Sequence, residues 1–468
     1  MMAGMDISAV LDHVEANLDA ARERWFSLLR IPSISAQPAH AADCHTAAEW
    51  LRDQLAGIGF EASIRATAGL PVVLATHAGP PRDGKNEAPH LLFYGHYDVQ
   101  PAEPLALWDR PPFEPALVDG PRGPRVYARG AVDDKGQVML WLEALRAWKA
   151  ATGSLPVRAT VLIEGEEEIG SPNLEAFIAA HRGELGADVA VISDTGMWDV
   201  DTPALTTRLR GMVYTQVTLR AAERDLHSGI FGGAALNPIN ALTQILGQLQ
   251  DAEGRVQLDG FYDGIAEISP GLRAEWEGLG FDEWAFLGGI GLAHPVGERG
   301  RAPLERMWAR PTADINGIWG GYQGPGSKTV IAAEAGAKVS FRLVPGQDPA
   351  RIAESFRRFV AARAPADAKV TVEVFSASPG IEIEAGGRVV RAAQAALAAE
   401  YGRPAVLIGS GGSIPVVESM RRVLGLDSLL MGFGLDDDQV HSPNEKFEWA
   451  CFHHGIRSHV RLLGELAG

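Results

Sequence analysis

The 468-residue chain is poor in cysteine and short of positive charge. Its two cysteines, Cys44 and Cys451, cannot build a disulfide framework, which fits a reducing cytoplasm. Lys and Arg number 42 against 59 Asp and Glu, for a formal net charge of -17. Neutralising a phosphate backbone needs clustered cations, so nucleic acid is not an expected partner. No apolar run approaches the ~18–20 residues of a membrane helix. Met1–Asp6 lacks the basic-then-apolar pattern of a signal peptide, so no membrane partner is expected and the expected location is cytoplasmic. A G-x-S-x-G elbow and an H-E-x-x-H helix are also missing, which argues against a serine hydrolase and a single-zinc peptidase. Gly321 to Thr329 superficially resembles a phosphate loop but fails, because Ser327 separates Gly326 from Lys328 and no helix pattern follows.

What remains is an ordinary globular composition, 46% hydrophobic and 22% charged, long enough for roughly two to four domains. Ile7, Val10, Leu11, Val14, Leu18, Trp25 and Leu28 recur at helical spacing and predict one amphipathic helix over 6–30; a second helix is expected over Thr46–Leu55. Short apolar runs follow at Val72–Thr76, Leu91–Tyr94, Ala159–Ile163 and Val189–Ile192, and again at Ala405–Ile408 and Leu429–Gly432. Helical stretches alternate with them at Gly136–Lys149, Pro172–His181, Arg388–Tyr401 and Asn444–Leu466. Such alternation implies an α/β fold, a mixed and mostly parallel sheet flanked by helices.

The middle of the chain has another pattern. A strand at Val213–Leu219, a helix at Pro238–Gln250, a hairpin of Lys328–Glu334 and Ala337–Val344 turning at Gly336, a helix at Pro349–Ala362 and a strand at Lys369–Phe375 are expected. That β-α-β-β-α-β order is ferredoxin-like, interrupted by an irregular segment at about 251–310 that carries Trp276, Trp284 and Trp308. The expected organisation is therefore a discontinuous α/β domain at 1–207 and 381–468, with a smaller α+β domain inserted at 208–380.

Acids and imidazoles stand just past the apolar runs: His96 and Asp98; Asp133-Asp134 before a helix; Glu166-Glu167-Glu168; Asp194; and Asp436-Asp437-Asp438 with His441. Each alone has an ordinary explanation. Asp133-Asp134 reads as a helix cap, Glu166–Glu168 as a solvated loop and Asp194 as a turn former. Together they fall at the carboxyl ends of successive strands, which in an α/β sheet open onto one crevice. So many acids there would repel one another unless a cation neutralised them. Imidazole with carboxylate ligands suits zinc, or manganese where oxygen ligands dominate.

These segments resemble the co-catalytic, two-metal zinc peptidases and deacylases. That family contains carnosinase-type dipeptidases, glutamate carboxypeptidases, aminoacylases and succinyl-diaminopimelate desuccinylase, and the dipeptidase branch for carnosine or Cys-Gly is most alike. The resemblance rests on Gly95-His96-Tyr97-Asp98-Val99-Gln100-Pro101, Gly130 to Gly136, Glu167-Glu168, Asp225-Leu226-His227-Ser228-Gly229, Phe341-Arg342-Leu343-Val344-Pro345 and Gly411-Gly412-Ser413-Ile414-Pro415. It implies His96, Asp133, Glu168, Asp194 and His441 as ligands of two divalent ions per subunit, zinc first, with manganese or cobalt as alternatives. Asp133 would bridge the ions and Glu167 would be the general base, with a hydroxide shared between the metals as nucleophile. Asp98 would hold the second ring N–H of His96.

The resemblance further implies that His227 acts in the active site of a partner subunit, in a homodimer built through the inserted domain, which also serves as a lid. Arg342 would bind the terminal carboxylate of a small peptide, with Thr329, Gly412 and Ser413 as polar contacts. The implied activity is hydrolysis of dipeptides or short peptides with a free C-terminal carboxylate; an N-acyl-amino-acid amidohydrolase is the alternative, and a non-catalytic peptide-binding module a more distant one. One departure stands out: related dipeptidases often carry charged residues just before the Gly-Gly-Ser-Ile-Pro loop, where this chain has Gly409-Ser410.

Overall fold

The computed structural model describes residues 7–80 and 88–467. Met1–Asp6, with the expected lack of a signal pattern and the first residue of the expected 6–30 helix, lie outside the described residues. Among the described residues no helix is long and apolar enough to cross a membrane. The chain forms two compact units: one takes the chain up to Thr207, Ile383–Ile408 and the part from Pro415 on, and the other takes Arg208–Glu382 with Gly409–Ile414.

The first unit is built on a mixed sheet in which Arg158–Glu164, His90–His96, Val189–Ile192 and Asp427–Leu430 lie side by side and parallel. Val72–His77 and Glu61–Arg65 extend it antiparallel on one side, and Ala204–Leu209 meets Asp427–Leu430 antiparallel on the other. Every residue of His90–His96 is buried, as befits a central strand covered on both faces. The helix Lys135–Thr152 lies across the sheet with Trp141 stacked on Phe93, ring centroids 5.4 Å apart. Trp25 stacks on Phe452 of the C-terminal helix at 4.3 Å, which ties both ends of the described chain into one core. Four parallel strands thus deliver their carboxyl ends, at His96, Glu164, Ile192 and Leu430, to the same edge.

Two expectations for this unit need correction. The helix over 6–30 is two helices, Ser8–Ala16 and Leu18–Leu29. Asn17 interrupts it, because its side-chain amide donates to the His13 carbonyl at 2.8 Å and competes with the helical bonding. The helix expected from Asn444 begins only at Trp449; Lys446–Glu448 is instead a buried strand paired with Gly123–Tyr127.

In the second unit, the strands run in the order Thr312–Gly320, Glu334–Leu343, Gly211–Arg220, Lys369–Ser378, antiparallel throughout. The helices Pro238–Leu246 and Pro349–Arg363 cover one face, over a core of Val213, Val217, Val339, Phe341, Leu242, Ile245 and Phe356. The 251–310 segment is less irregular than expected and carries the short helices Pro270–Gly278, Glu283–Gly289 and Pro303–Trp308. The expected hairpin at Gly336 is absent. Gly336 sits inside one continuous strand, paired with Trp319 and Thr218, and Lys328–Glu334 is not its partner. The glycine serves close packing rather than a turn: a Cβ there would lie 2.1 Å from the indole of Trp319. Gly336→Ala is therefore expected to cost about 1–3 kcal/mol, the range for overpacking a filled site. A shift of the urea midpoint measures it, and an unmoved midpoint would show that Trp319 repacks freely.

Candidate metal centre

At the carboxyl edge of the first sheet, Asp133 stands between two imidazoles. Its Oδ1 is 3.2 Å from His96 Nε2 and its Oδ2 is 3.0 Å from His441 Nε2. Around this carboxylate the donor atoms form two sets, each within 4.8 Å: His96, Asp133 and Asp194, and Asp133, Glu168 and His441. Asp194 Oδ2 lies 3.9 Å from His96 Nε2, and Glu168 Oε2 lies 3.2 Å from His441 Nε2. The structure therefore brings together all five residues expected as ligands.

Local geometry explains how each arrives. His96 ends its strand, and its ring Nδ1 faces Asp98, 3.1 Å from the main-chain carbonyl and 3.3 Å from Oδ1. With Nδ1 carrying the proton toward Asp98, the lone pair of Nε2 faces the acids. That Nε2 is buried and has no hydrogen-bond partner; its contact with Asp133 lacks hydrogen-bond alignment. An orphaned imidazole nitrogen among carboxylates is a donor set that fits a divalent cation. The Asp98 carboxylate also accepts the Glu167 and Glu168 backbone N–H groups, at 3.2 and 3.1 Å, and so fixes the turn that carries both glutamates. Gln100 holds Glu168 from the other side, its Nε2 donating to Oε2 at 2.7 Å.

Asp134 is not the helix cap that its position before Lys135–Thr152 allows. It makes no cap hydrogen bond, and its Oδ2 accepts the His96 backbone N–H at 3.1 Å instead. Three other acids of the quoted runs have structural partners. Glu166 accepts from Leu70 N–H and Asn173, and Asp437 pairs with Arg122. Asp438 takes the Leu435 N–H and Lys446.

The electrostatics match a site short of positive charge. Burial, with Asp133 adding to it, pushes the Asp194 carboxyl well above its usual range. Burial opposes a charged His96, yet the adjacent Asp133 and Asp98 carboxylates outweigh it and raise its pKa. Hydrogen bonds to Asp133 and Glu168 push His441 up to about 10. Burial, with the Asp133, Glu168 and Asp98 charges adding and His96 opposing, pushes Glu167 up to about 7. Glu167 thus has the affinity for a proton that a general base working near neutral pH needs.

The sequence carries no signal for Glu445 beyond an acid four residues past His441. Its buried carboxylate accepts Arg129 Nη1 at 2.8 Å and the backbone N–H groups of Gly130, Val132 and Asp133 at 2.9, 3.0 and 3.1 Å. It clamps the loop bearing Asp133 to the segment bearing His441.

The remaining expected residues lie in the second unit. His227 is exposed and caps a short helix, its Nδ1 accepting the Gly229 N–H at 3.0 Å. Thr329 is exposed, and its carbonyl accepts the Ser228 N–H. Arg342 Nη1 donates to Ser413 Oγ at 3.3 Å, next to Gly412. Arg210, which no quoted motif contains, packs on the same loop, its Nε donating to the Gly411 carbonyl at 2.9 Å.

The description of peptidase family M20/M25/M40 matches residues 92–465. The chain is 29% identical to the Cys-Gly metallodipeptidase DUG1 of Saccharomyces cerevisiae, covering 98% of each. It is 31% identical to the cysteinylglycine-S-conjugate dipeptidase of Corynebacterium striatum, covering 87% of each. The crystal structure of human carnosine dipeptidase 1 superposes with a TM-score of 0.83 at 26% identity, covering 99% of this chain and 100% of that one. For the centre itself, Glu445→Ala would leave Arg129 buried without its carboxylate. Such losses cost roughly 3–5 kcal/mol, so both the thermal midpoint and the metal bound per chain after dialysis are expected to fall. Unchanged metal content would show that the clamp does not hold Asp133 in place.

Proposed function

The chain belongs to peptidase family M20/M25/M40, hydrolases acting on peptide bonds, and we propose that it is a metal-dependent dipeptidase cleaving small peptides with a free C-terminal carboxylate. The observation that carries this reading is Asp133, whose two oxygens face His96 and His441 at 3.2 and 3.0 Å. His96 and Asp194 would hold one divalent ion and Glu168 and His441 the other, with Asp133 available to both. Zinc is the proposed metal. Bound there, the ions supply Lewis-acid polarisation of the scissile carbonyl and a water acidified toward neutral pH. Glu167 accepts the proton of that water on its carboxylate and delivers it to the leaving amine nitrogen. Asp98 keeps the His96 ring and the Glu167-Glu168 turn in register. Arg342 takes the substrate's terminal carboxylate with its guanidinium fork, assisted by Ser413, Gly412 and Thr329. We further propose a cytoplasmic homodimer formed through the second unit, in which His227 serves the partner's site and stabilises the oxyanion at the attacked carbonyl.

Two outcomes test these assignments. Glu167→Gln should retain metal while hydrolysis of Cys-Gly falls at least ~100-fold, the scale of general acid–base catalysis; undiminished turnover removes Glu167 as the base. His227→Ala and Glu167→Gln, each impaired alone, should regain measurable activity when mixed under conditions that exchange subunits, because hybrid dimers contain one intact site. If mixing restores nothing, His227 does not act across a dimer.

A further inference from the structure

A second arginine stands beside Arg342 in the second unit, and nothing above gives its charge a task. Arg210 is laid along the 411–413 loop. Its backbone N–H donates to the Gly412 carbonyl at 3.1 Å and its Nε to the Gly411 carbonyl at 2.9 Å, while Arg342 reaches Ser413 of the same loop. A Cβ on Gly411 would lie 3.0 Å from Arg210 Nη2, so the glycine lets the guanidinium lie flush against the loop. Gly409 likewise leaves room for Trp308, whose Cβ would be 2.5 Å from an added methyl. The loop start Gly409-Ser410 brings no acid to this place.

Among the described residues each buried arginine has a carboxylate, Arg129 with Glu445, Arg310 with Glu298 and Arg208 with Glu382, whereas Arg210 and Arg342 are half-buried. Among the described residues, neither Arg210 nor Arg342 makes an ion pair. The exposed Asp314 is the acid that both feel, and it is within ion-pair distance of neither. Burial, with the Arg342 charge adding to it, lowers Arg210 to about 10, so it stays protonated at neutral pH. Two neighbouring guanidiniums with one remote counter-charge form a place that an anion relieves, and each fork matches one carboxylate.

We propose that Arg210 is a specificity-determining residue that binds a second carboxylate of the ligand, so that the enzyme favours peptides whose C-terminal residue is aspartate or glutamate. Arg342 holds the α-carboxylate and Arg210 the side-chain carboxylate of that residue. The substrate side of this statement rests on the dipeptidase reading; the paired arginines do not.

The test compares isosteric ligands. Wild-type kcat/KM for Ala-Glu should exceed that for Ala-Gln roughly tenfold, the low end for a charge-assisted hydrogen bond. In Arg210→Gln the ratio should fall to about one, and Arg210→Lys, which keeps the charge, should retain part of it. A loss of loop position alone would lower both rates and leave the ratio intact, so an unchanged ratio in Arg210→Gln overturns the proposal. Equal wild-type rates also overturn it, because both arginines would then serve a single carboxylate. Calorimetric binding of L-glutamate and L-glutamine to the full chain, stripped of metal by chelation, reads the same charge without hydrolysis. Preference for glutamate that vanishes in Arg210→Gln supports the arginine pair even if no dipeptide is cleaved, an outcome that would overturn the dipeptidase reading alone.

Discussion

One carboxylate organises the first unit. Asp133 can face His96 with one oxygen and His441 with the other only if the loop between the Gly123–Tyr127 strand and the Lys135–Thr152 helix and a segment some three hundred residues later are fixed to each other. Glu445 supplies that fixation by accepting the backbone N–H of Asp133 itself. The surrounding acids would drive one another apart in a low-dielectric site. The fold opposes that repulsion with backbone donors, such as the pair on Asp98 and the His96 N–H on Asp134. A divalent cation completes the balance, which is why the centre and the sheet edge beneath it are parts of one electrostatic arrangement.

Much of this was legible in the chain because its signals are local. Leu91–Tyr94 and Val189–Ile192 are short apolar runs of buried-strand length, and the polar residues directly after them are carried to the edge by the parallel sheet. That rule places His96 and Asp194 at the edge, whereas the choice of the five ligand candidates among all the acids and imidazoles rests on the family resemblance. Glu445, Gln100 and Arg210 were not legible, because their roles are hydrogen bonds to groups distant in sequence, and an acid, an amide or a base gives no periodicity. Gly336 misled for a related reason. A glycine between apolar runs reads as a turn, whereas here it makes room for an indole on the neighbouring strand. The helix expected from Asn444 failed because Lys446 is held by Asp438 and Glu448, ion pairs that favour an extended backbone over the local helical pattern.

The second unit divides its work by face. Val213 and Phe341 point to the helices and make the core, while Met212 and Arg342, paired across the neighbouring strands, belong to the other face. Arg210 lies just before the Gly211–Arg220 strand and is placed by its bonds to the Gly411 and Gly412 carbonyls. Strand periodicity thus separates Arg342, proposed to meet the substrate, from its core neighbours Phe341 and Leu343.

The position of Asp427–Leu430 has a consequence for biosynthesis. This strand fills the slot between Val189–Ile192 and Ala204–Leu209, so the sheet closes only after the whole intervening unit has left the ribosome. Throughout that interval a nascent chain carries an unpaired apolar β-edge, the kind of surface that invites pairing with another chain. The second unit, nearly contiguous in sequence and antiparallel, can reach its own fold while the first still waits for its last central strand.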